Sequence, residues 1–500
     1  LRFVSYLDKG KVMVAPEGLV SIEKAKSPPV SFHLLPPFQP EPYNESFKPN
    51  PDLQQHLFGK LLLFDEIPFS LEDIHTHFLN GCVTYEKGII ENNGRYSCRR
   101  CGNCEKHLFA SFACFRCKEE QCVYCRKCIM MGRISQCTPL VRWIGPSYSG
   151  GQKKSLLNWN GELSSAQREA SRQLADRIGK RGEFLIWAVC GAGKTEVLFE
   201  AVEKSLCMGQ RVCIATPRTD VVLELLPRLK AVFPQTKVIG LYGGSEERKE
   251  FGQLVISTTH QLLRYEQAFD FVVVDEVDAF PFSFDKSLQF AVQKAKKEEA
   301  TLAYLTATPS TQMKKRMQKG ELAFIKIPRR YHGFPLPVPK MKWCGNWQRK
   351  LNHKKLPEPI ESWVKQQLEK RRQGFLFVPT IPILQTITEH LQTFDPQIEG
   401  VHAEDPERKE KVERFRKGVI PIIVTTTILE RGVTVPFTDI AVLGAEDDVF
   451  TESALVQISG RAGRSKDDPN GEVIFYHYGK TNAMIQAIRH IESMNKEGFL

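Results

Sequence analysis

The hexapeptide Cys190-Gly191-Ala192-Gly193-Lys194-Thr195 constrains this chain more than any other feature. It follows an apolar run, Phe184 to Val189, and precedes a helix-compatible run from Glu196 to Lys204. Strand, glycine turn and helix N-terminus form the arrangement in which backbone N–H groups wrap a phosphate chain, and the helix end adds partial positive charge. Gly191 and Gly193 let the backbone come that close, Lys194 reaches the β- and γ-phosphates, and the Thr195 hydroxyl holds Mg2+. Ala188 stands where the strict pattern has its first glycine. A glycine turn can also serve packing alone, but the Lys-Thr pair and the strand–turn–helix context favour an ATP phosphate site.

A second apolar run ends in acids, Val272-Val273-Val274-Asp275-Glu276-Val277-Asp278. A buried parallel strand ending this way places Asp275 to bind Mg2+, directly or through water, and Glu276 to polarise an attacking water. Acidic turns after strands are common, so the pair gains its meaning from the phosphate loop beside it. Asp278 is left with a bridging role to a neighbour.

Around these motifs, helical stretches alternate with short β-branched strands from Leu163 onward, the pattern of a parallel α/β sheet. Strands are expected at Phe184–Val189, Arg211–Ala215, Leu254–Ser257, Phe271–Val274 and Thr301–Leu305. The proline-rich stretch Tyr331 to Pro339 reads as a linker. Beyond it a second alternation predicts strands at Gly374–Val378, Ile420–Thr425, Ile440–Leu443 and Val473–Tyr476. The expected organisation is a region of unassigned role over 1–95, a zinc-binding domain over 96–145, and α/β lobes over 150–335 and 340–500. In the first region, prolines from Pro28 to Pro51 favour extended structure, and a helix is expected over Ser70–Leu79 with Ser70 as N-cap and Asp73 completing a capping box.

Composition supports a large folded chain: 42% hydrophobic and 25% charged residues can supply a sizeable core. The formal net charge of +11, from 69 Lys+Arg against 58 Asp+Glu, leans toward a polyanionic partner. No apolar run approaches the ~18 residues of a membrane span. Lys9 and Lys11 interrupt any signal-like stretch, so a cytoplasmic location is expected.

Further motifs fall in an order that resembles the superfamily 2 helicases. Thr306-Ala307-Thr308 looks like the motif coupling hydrolysis to domain movement. Gln457-Ile458-Ser459-Gly460-Arg461-Ala462-Gly463-Arg464 resembles the arginine-finger motif. Arg461 and Arg464 would enter the cleft from the second lobe and stabilise charge on the γ-phosphate, with Gln457 also at the nucleotide. Gln167 resembles the upstream adenine-reading glutamine. Thr216, Pro217 and Arg218 after one strand, and Thr259 and His260 after another, resemble elements that hold backbone phosphates. The run Thr425 to Val433 resembles the motif touching both nucleic acid, through Thr426, and nucleotide, through Gly432. The resemblance implies two RecA-like parallel-sheet domains in tandem, moving on single-stranded nucleic acid.

Nine of the fourteen cysteines fall between Cys98 and Cys137, in a pattern of Cys-x-x-Cys pairs that reads as metal ligation. Four thiolates from two such knuckles suit tetrahedral Zn2+. The favoured partition is one site from Cys98, Cys101, Cys125 and Cys128 and a second from Cys114, Cys117 and Cys122, with Cys104 as fourth ligand. A single site from Cys98, Cys101, Cys114 and Cys117 is the alternative. Arg99, Arg100, Lys106, Arg116, Arg126, Lys127 and Arg133 suit either nucleic-acid contact or a solvated surface.

Zinc knuckles ahead of such a motor resemble two bacterial families, the restart helicase PriA and the late competence protein ComFA. Tyr124 to Arg133 and Asp275 to Pro281 are more similar to ComFA, and the cysteines precede the motor rather than interrupting it. That resemblance, over about residues 95–500, implies a cytoplasmic ATPase on single-stranded DNA that powers uptake of transforming DNA through a membrane channel. It also implies a phosphoribosyltransferase-like partner, ComFC. A restart or repair helicase and an RNA helicase remain the competing readings, and residues 1–95 test none of them.

Overall fold

The structure, a computed structural model, describes residues 2–8, 11–21, 25–36, 38–147, 157–353, 355–431 and 435–499. Gly432 and Val433 lie outside the described residues. The chain opens with a small antiparallel sheet of β1 (Arg2–Asp8), β2 (Lys11–Pro16) and β3 (Val30–Ser31), in the order β2-β1-β3. Asn50 caps the helix Pro51–Leu57 by accepting from the Asp52 and Leu53 N–H groups, with proline at the first helical position where no donor is needed. The predicted helix is present as Leu71–Leu79, and Ser70 accepts from the Asp73 N–H at 3.0 Å. The reciprocal half of the expected capping box is replaced: the Asp73 carboxylate instead accepts from the Ser70 hydroxyl at 2.9 Å.

β4 (Leu61–Leu63) and β5 (Val83–Lys87) are followed by two short hairpins. These are β6 (Ile89–Asn92) with β7 (Arg95–Cys98), and β8 (Phe109–Phe112) with β9 (Cys122–Cys125). β10 (Pro139–Trp143) then returns to lie between β4 and β5. The proline-rich start and the strand after the cysteines therefore share one core, in which Phe3, Phe32, Phe78, Tyr85 and Trp143 are buried together. Phe78 and Tyr85 stack with centroids 4.5 Å apart.

This N-terminal part is fixed to the first lobe rather than tethered. Gly59, at φ +69°, passes so close to the chain that a Cβ there would lie 2.6 Å from that of Ala268. Arg211 reaches the Phe58 carbonyl at 3.2 Å, and buried Lys294 donates to the carbonyls of Arg100 and Leu263, each at 2.8 Å. Burial pushes the Lys294 ammonium down to about 8.

The first lobe carries β11 (Gly182–Ala188), β12 (Val212–Thr216), β13 (Val238–Leu241), β14 (Leu254–Thr258), β15 (Phe269–Asp275), β16 (Lys296–Thr306) and β17 (Ala323–Ile327). All pair in parallel, in the order β13-β14-β12-β15-β16-β11-β17. β16 lies between β11 and β15, so the loops leaving these three strands emerge side by side at the carboxyl edge of the sheet, where α/β sheets bind ligands. The second lobe carries β18 (Lys340–Trp343), β19 (Gln373–Phe377), β20 (Glu399–Val401), β21 (Ile422–Thr425), β22 (Thr438–Leu443) and β23 (Val473–His477). Their order is β18-β23-β22-β19-β21-β20, again parallel.

The linker runs without regular structure and is clasped at Leu336. Its N–H donates to Asn495 Oδ1 and its carbonyl accepts from Asn495 Nδ2, each at 2.8 Å. Asn495 lies on the last helix, Asn482–Gly498, which also returns to β17 through Lys326 and Glu497 at 2.8 Å. Among the described residues no helix is long and apolar enough to cross a membrane.

Candidate nucleotide cleft and cysteine centres

The phosphate loop leaves β11 at Ala188 and turns through Gly191 (φ +79°) and Gly193 (φ +68°), conformations that a side chain would oppose. A Cβ at Gly193 would also lie 2.4 Å from Gln167 Nε2. Gln167 is held from both sides: its Oε1 accepts from the Ser164 N–H at 2.8 Å as a capping box, and its Nε2 donates to the Ala192 carbonyl at 2.8 Å. Lys194 and Thr195 stand half-buried at the loop's end, where the chain enters a 3-10 turn, Glu196–Leu198, and then the helix Phe199–Cys207.

Asp275 closes β15, and Glu276 turns sharply with φ +55°, its N–H donating to Asp275 Oδ1 at 2.8 Å. A left-handed glutamate costs about 1–2 kcal/mol and persists where the surroundings demand it. Burial, then the Glu276 charge, push the Asp275 carboxyl up to about 6 against the pull of Lys194 and Arg431. Such a dehydrated carboxylate suits a divalent cation, whose charge would offset the repulsion between the two acids.

Lobe 2 meets this edge directly. Cys190 Sγ donates to Gln457 Oε1 at 3.0 Å, and Gly460 lies so close to Cys190 that any side chain there would overlap it. Arg330, at the start of the linker, draws the arginine turn in by donating to the carbonyls of Ala462 at 2.8 Å, Gly460 at 3.3 Å and Gly463. Arg461 is only 2% exposed, and its Nε and Nη1 have no hydrogen-bond partner among the described residues. Burial, then neighbouring Arg464, push its guanidinium well below the usual arginine range. Arg464 Nε is held by the Gly460 carbonyl at 3.0 Å. A buried guanidinium with donors left over beside a phosphate loop is suited to holding an anion.

Asp278 is far more than a bridge. Its carboxylate accepts from Thr306 and Thr308 at 2.6 Å each, from Ser453 at 2.6 Å and from Arg431. Burial opposes its charge, but Arg431 and these hydroxyls outweigh burial and hold the carboxyl well below the usual range. One carboxylate thereby joins the acid loop, the threonine motif and two elements of lobe 2. Arg431 is itself buried and lies 3.5 Å from Glu276 and 3.4 Å from Glu430. Arg330, Glu430, Arg431 and Ser453 were not singled out from the sequence; of these, only the Glu430-Arg431 pair lay inside a recognised motif.

The residues read as phosphate grips gather at the ends of β12 and β14. Thr216 and Thr259 are buried with hydroxyls that lack hydrogen-bond partners among the described residues, and the Thr259 N–H donates to the Thr216 carbonyl at 2.9 Å. Pro217 is buried beside them, and His260 is half-buried, its imidazole pushed down by burial. Arg218 crosses to lobe 2, donating to the Ile428 carbonyl at 3.2 Å and to Glu430 at 3.1 Å. Thr426 is half-buried at the end of β21.

The cysteines form two buried tetrads. Cys98, Cys101, Cys125 and Cys128 form one, and Cys114, Cys117, Cys122 and Cys137 the other, each with its sulfurs within 4.8 Å of one another. Separations of 3.6 Å (Cys98–Cys128), 3.7 Å (Cys101–Cys125) and 3.8 Å (Cys114–Cys137) match the edge of a ZnS4 tetrahedron, ~3.8 Å for Zn–S bonds of about 2.3 Å. The residues thus fit Zn2+ at both positions. The first tetrad agrees with the favoured partition. The second corrects it: Cys104 is exposed and turned to the Gly102 carbonyl, and Cys137 takes its place. The single site from Cys98, Cys101, Cys114 and Cys117 is not formed, because those pairs belong to different tetrads. Arg99 and Lys127 are engaged by Glu86, Glu266 and Asp285. Arg100 is buried against Glu66. Arg99 and Lys127 thus tie the surroundings of the first tetrad to lobe 1 through Glu266 and Asp285, while Arg100 pairs within the N-terminal domain.

Comparison with known proteins agrees with this architecture. Residues 45–142 match the competence protein ComFA N-terminal domain, 160–311 the type III restriction enzyme res subunit, and 358–466 the helicase conserved C-terminal domain. Competence protein ComFA of Bacillus subtilis (strain 168) is 49% identical over 453 residues, covering 91% of this chain and 96% of that protein. Its namesake from Streptococcus pneumoniae (strain ATCC BAA-255 / R6) is 38% identical over 379 residues, 75% of this chain and 87% of that one. Among solved structures, S. cerevisiae Dbp5 bound to RNA and ADP BeF3 superposes with a TM-score of 0.50 at 15% identity, over 67% of this chain and 88% of that one. Mycobacterium smegmatis helicase Lhr bound to ssDNA and AMP-PNP gives 0.50 at 15% identity, over 68% and 48%. These structural likenesses support the two-lobed RecA-like fold, and the matched domains are those of an ATP-dependent helicase-type enzyme. With the cysteine-bearing domain and both motor lobes matched along one chain, this protein belongs to the competence protein ComFA family.

Proposed function

We propose that this chain is an ATP-dependent translocase on single-stranded DNA that powers uptake of transforming DNA into the cytoplasm during natural competence. The observation that carries the reading is the buried Arg461 guanidinium of lobe 2, two of its nitrogens unpartnered among the described residues, beside Cys190 of the phosphate loop and the acid Glu276 of lobe 1. In this reading the loop's N–H groups and Lys194 bind the β- and γ-phosphates, and Gln167 joins the adenine side to the loop. Asp275 and Thr195 would hold Mg2+, which would supply charge neutralisation at the phosphates. Glu276 polarises the attacking water, and Arg461 and Arg464 stabilise charge gathering on the γ-phosphoryl oxygens. Asp278 passes closure of the cleft to the threonine motif and to lobe 2.

Two lobes that each grip backbone phosphates, and that approach and part once per ATP, move along a strand without reading its bases. Thr216, Pro217, Arg218, Thr259 and His260 on lobe 1 and Thr426 on lobe 2 form those grips. The zinc tetrads act as staples that hold the N-terminal domain in shape. Family membership supports the remaining assignments: a cytoplasmic protein brought to the inner membrane face by partners, a membrane DNA channel and a ComFC-like phosphoribosyltransferase. ATP turnover with single-stranded DNA, duplex DNA or RNA tests the proposal. Single-stranded DNA is expected to stimulate most; stimulation by RNA alone would overturn it, and strong duplex unwinding would favour a restart or repair helicase.

A further inference from the structure

Glu430 and Arg431 link the nucleotide chemistry to the strand-gripping side of lobe 1. The buried Glu430 carboxylate accepts from Arg218 Nη2 through Oε1 at 3.1 Å, and the same oxygen lies 3.4 Å from Arg431 Nε. Arg431 spreads its other nitrogens over the acid loop, Nη1 at 3.5 Å from Glu276 Oε2 and Nη2 on Asp278. One carboxylate oxygen therefore serves two guanidinium groups, one from each lobe. Nearby, Arg408 of lobe 2 pairs with Asp220, two residues beyond Arg218, so this seam between the lobes is fixed on both sides.

A buried carboxylate that loses one of two cations binds the other more strongly, because little solvent replaces the lost partner. Backbone phosphate is a competing acceptor for Arg218, since it takes a guanidinium in bidentate fashion whereas Glu430 holds it through a single oxygen. We propose that Glu430 is a positioning residue that relays strand binding to hydrolysis. Without a strand, Arg218 holds Glu430, and Arg431 stays 3.5 Å from Glu276 Oε2, close enough to offset the charge with which Glu276 polarises water. A backbone phosphate draws Arg218 away, Glu430 pulls Arg431 toward itself, and Glu276 is released. The relay rests on the reading of Glu276 as the water-polarising group and on stimulation of turnover by single-stranded DNA.

The two ends of the relay carry opposite expectations, which a simple structural role for either residue does not. Arg218→Ala frees Glu430 permanently, so turnover without nucleic acid rises about five-fold or more, the lower end of ordinary coupling between sites. Arg218→Lys restores a charge and returns that rate toward wild type. Glu430→Gln keeps the side chain's shape but cannot pull, so saturating single-stranded DNA no longer stimulates, although a fluorescent oligonucleotide still binds. An Arg218 that only grips phosphate predicts a higher half-saturating strand concentration with no rise in unstimulated turnover; that result overturns the relay. So does a shift of unstimulated turnover in the same direction in both variants. Wild-type turnover indifferent to single-stranded DNA would overturn the functional reading along with the relay, whereas a stimulated wild type with unaltered variants defeats the relay alone.

Discussion

Lys194 and Asp278 show what a residue's neighbours in sequence reveal and what they conceal. Lys194 sits in a local pattern, a glycine turn between a strand and a helix, so its place beside the acids follows from a few consecutive residues. Lys194→Ala is expected to lower ATP turnover by about 10²-fold or more, the scale of losing one preorganised charge at a reacting phosphate; turnover equal to wild type would remove the loop from the mechanism. Asp278 was legible only as an acid in a turn. Its partners Arg431 and Ser453 lie on the other lobe, and a pairing across the cleft leaves no local signature. The same holds for Arg330, whose hold on the arginine turn depends on where a proline-rich linker begins.

At the scale of elements, the strands that sequence pattern missed in the two lobes are the four sheet edges, β13, β17, β18 and β20. Central parallel strands are buried on both faces and read as apolar runs, whereas β17, β18 and β20 are only partly buried and β13 is four residues with a glycine inside. The tetrad partition failed at one position for a similar reason: Cys137 has no Cys-x-x-Cys partner and arrives through the turn before β10. Metal analysis is expected to give two Zn2+ per chain for wild type and for Cys104→Ala, and one for Cys98→Ala or Cys114→Ala. Loss of metal from Cys104→Ala would contradict the second tetrad.

The junction of the N-terminal domain with lobe 1 carries its own test. Burial pushes the Lys60 ammonium down to about 7, with Arg211 and Arg264 adding to it. From there up to the ordinary lysine value, the unfolded chain holds a proton that the folded chain has released, so raising pH across that window favours the folded state. Lys60→Met removes this contribution, so its melting temperature is expected to exceed wild type's most at and below about pH 7, with the gap narrowing toward pH 10. Parallel pH profiles for the two proteins would show that Lys60 is not desolvated there.

At the scale of the molecule, the lobes touch through Cys190 and Gln457, Arg218 and Glu430, and Arg431 and the acid loop, and the last helix clasps the linker. These contacts link the nucleotide cleft to the residues proposed as strand grips, which is what a motor requires. The most direct measurement is ATP-driven displacement of streptavidin from a biotinylated single-stranded oligonucleotide. The account predicts displacement that requires ATP and is abolished by Lys194→Ala. Strand-stimulated ATP turnover that never displaces streptavidin from either end would contradict a translocase.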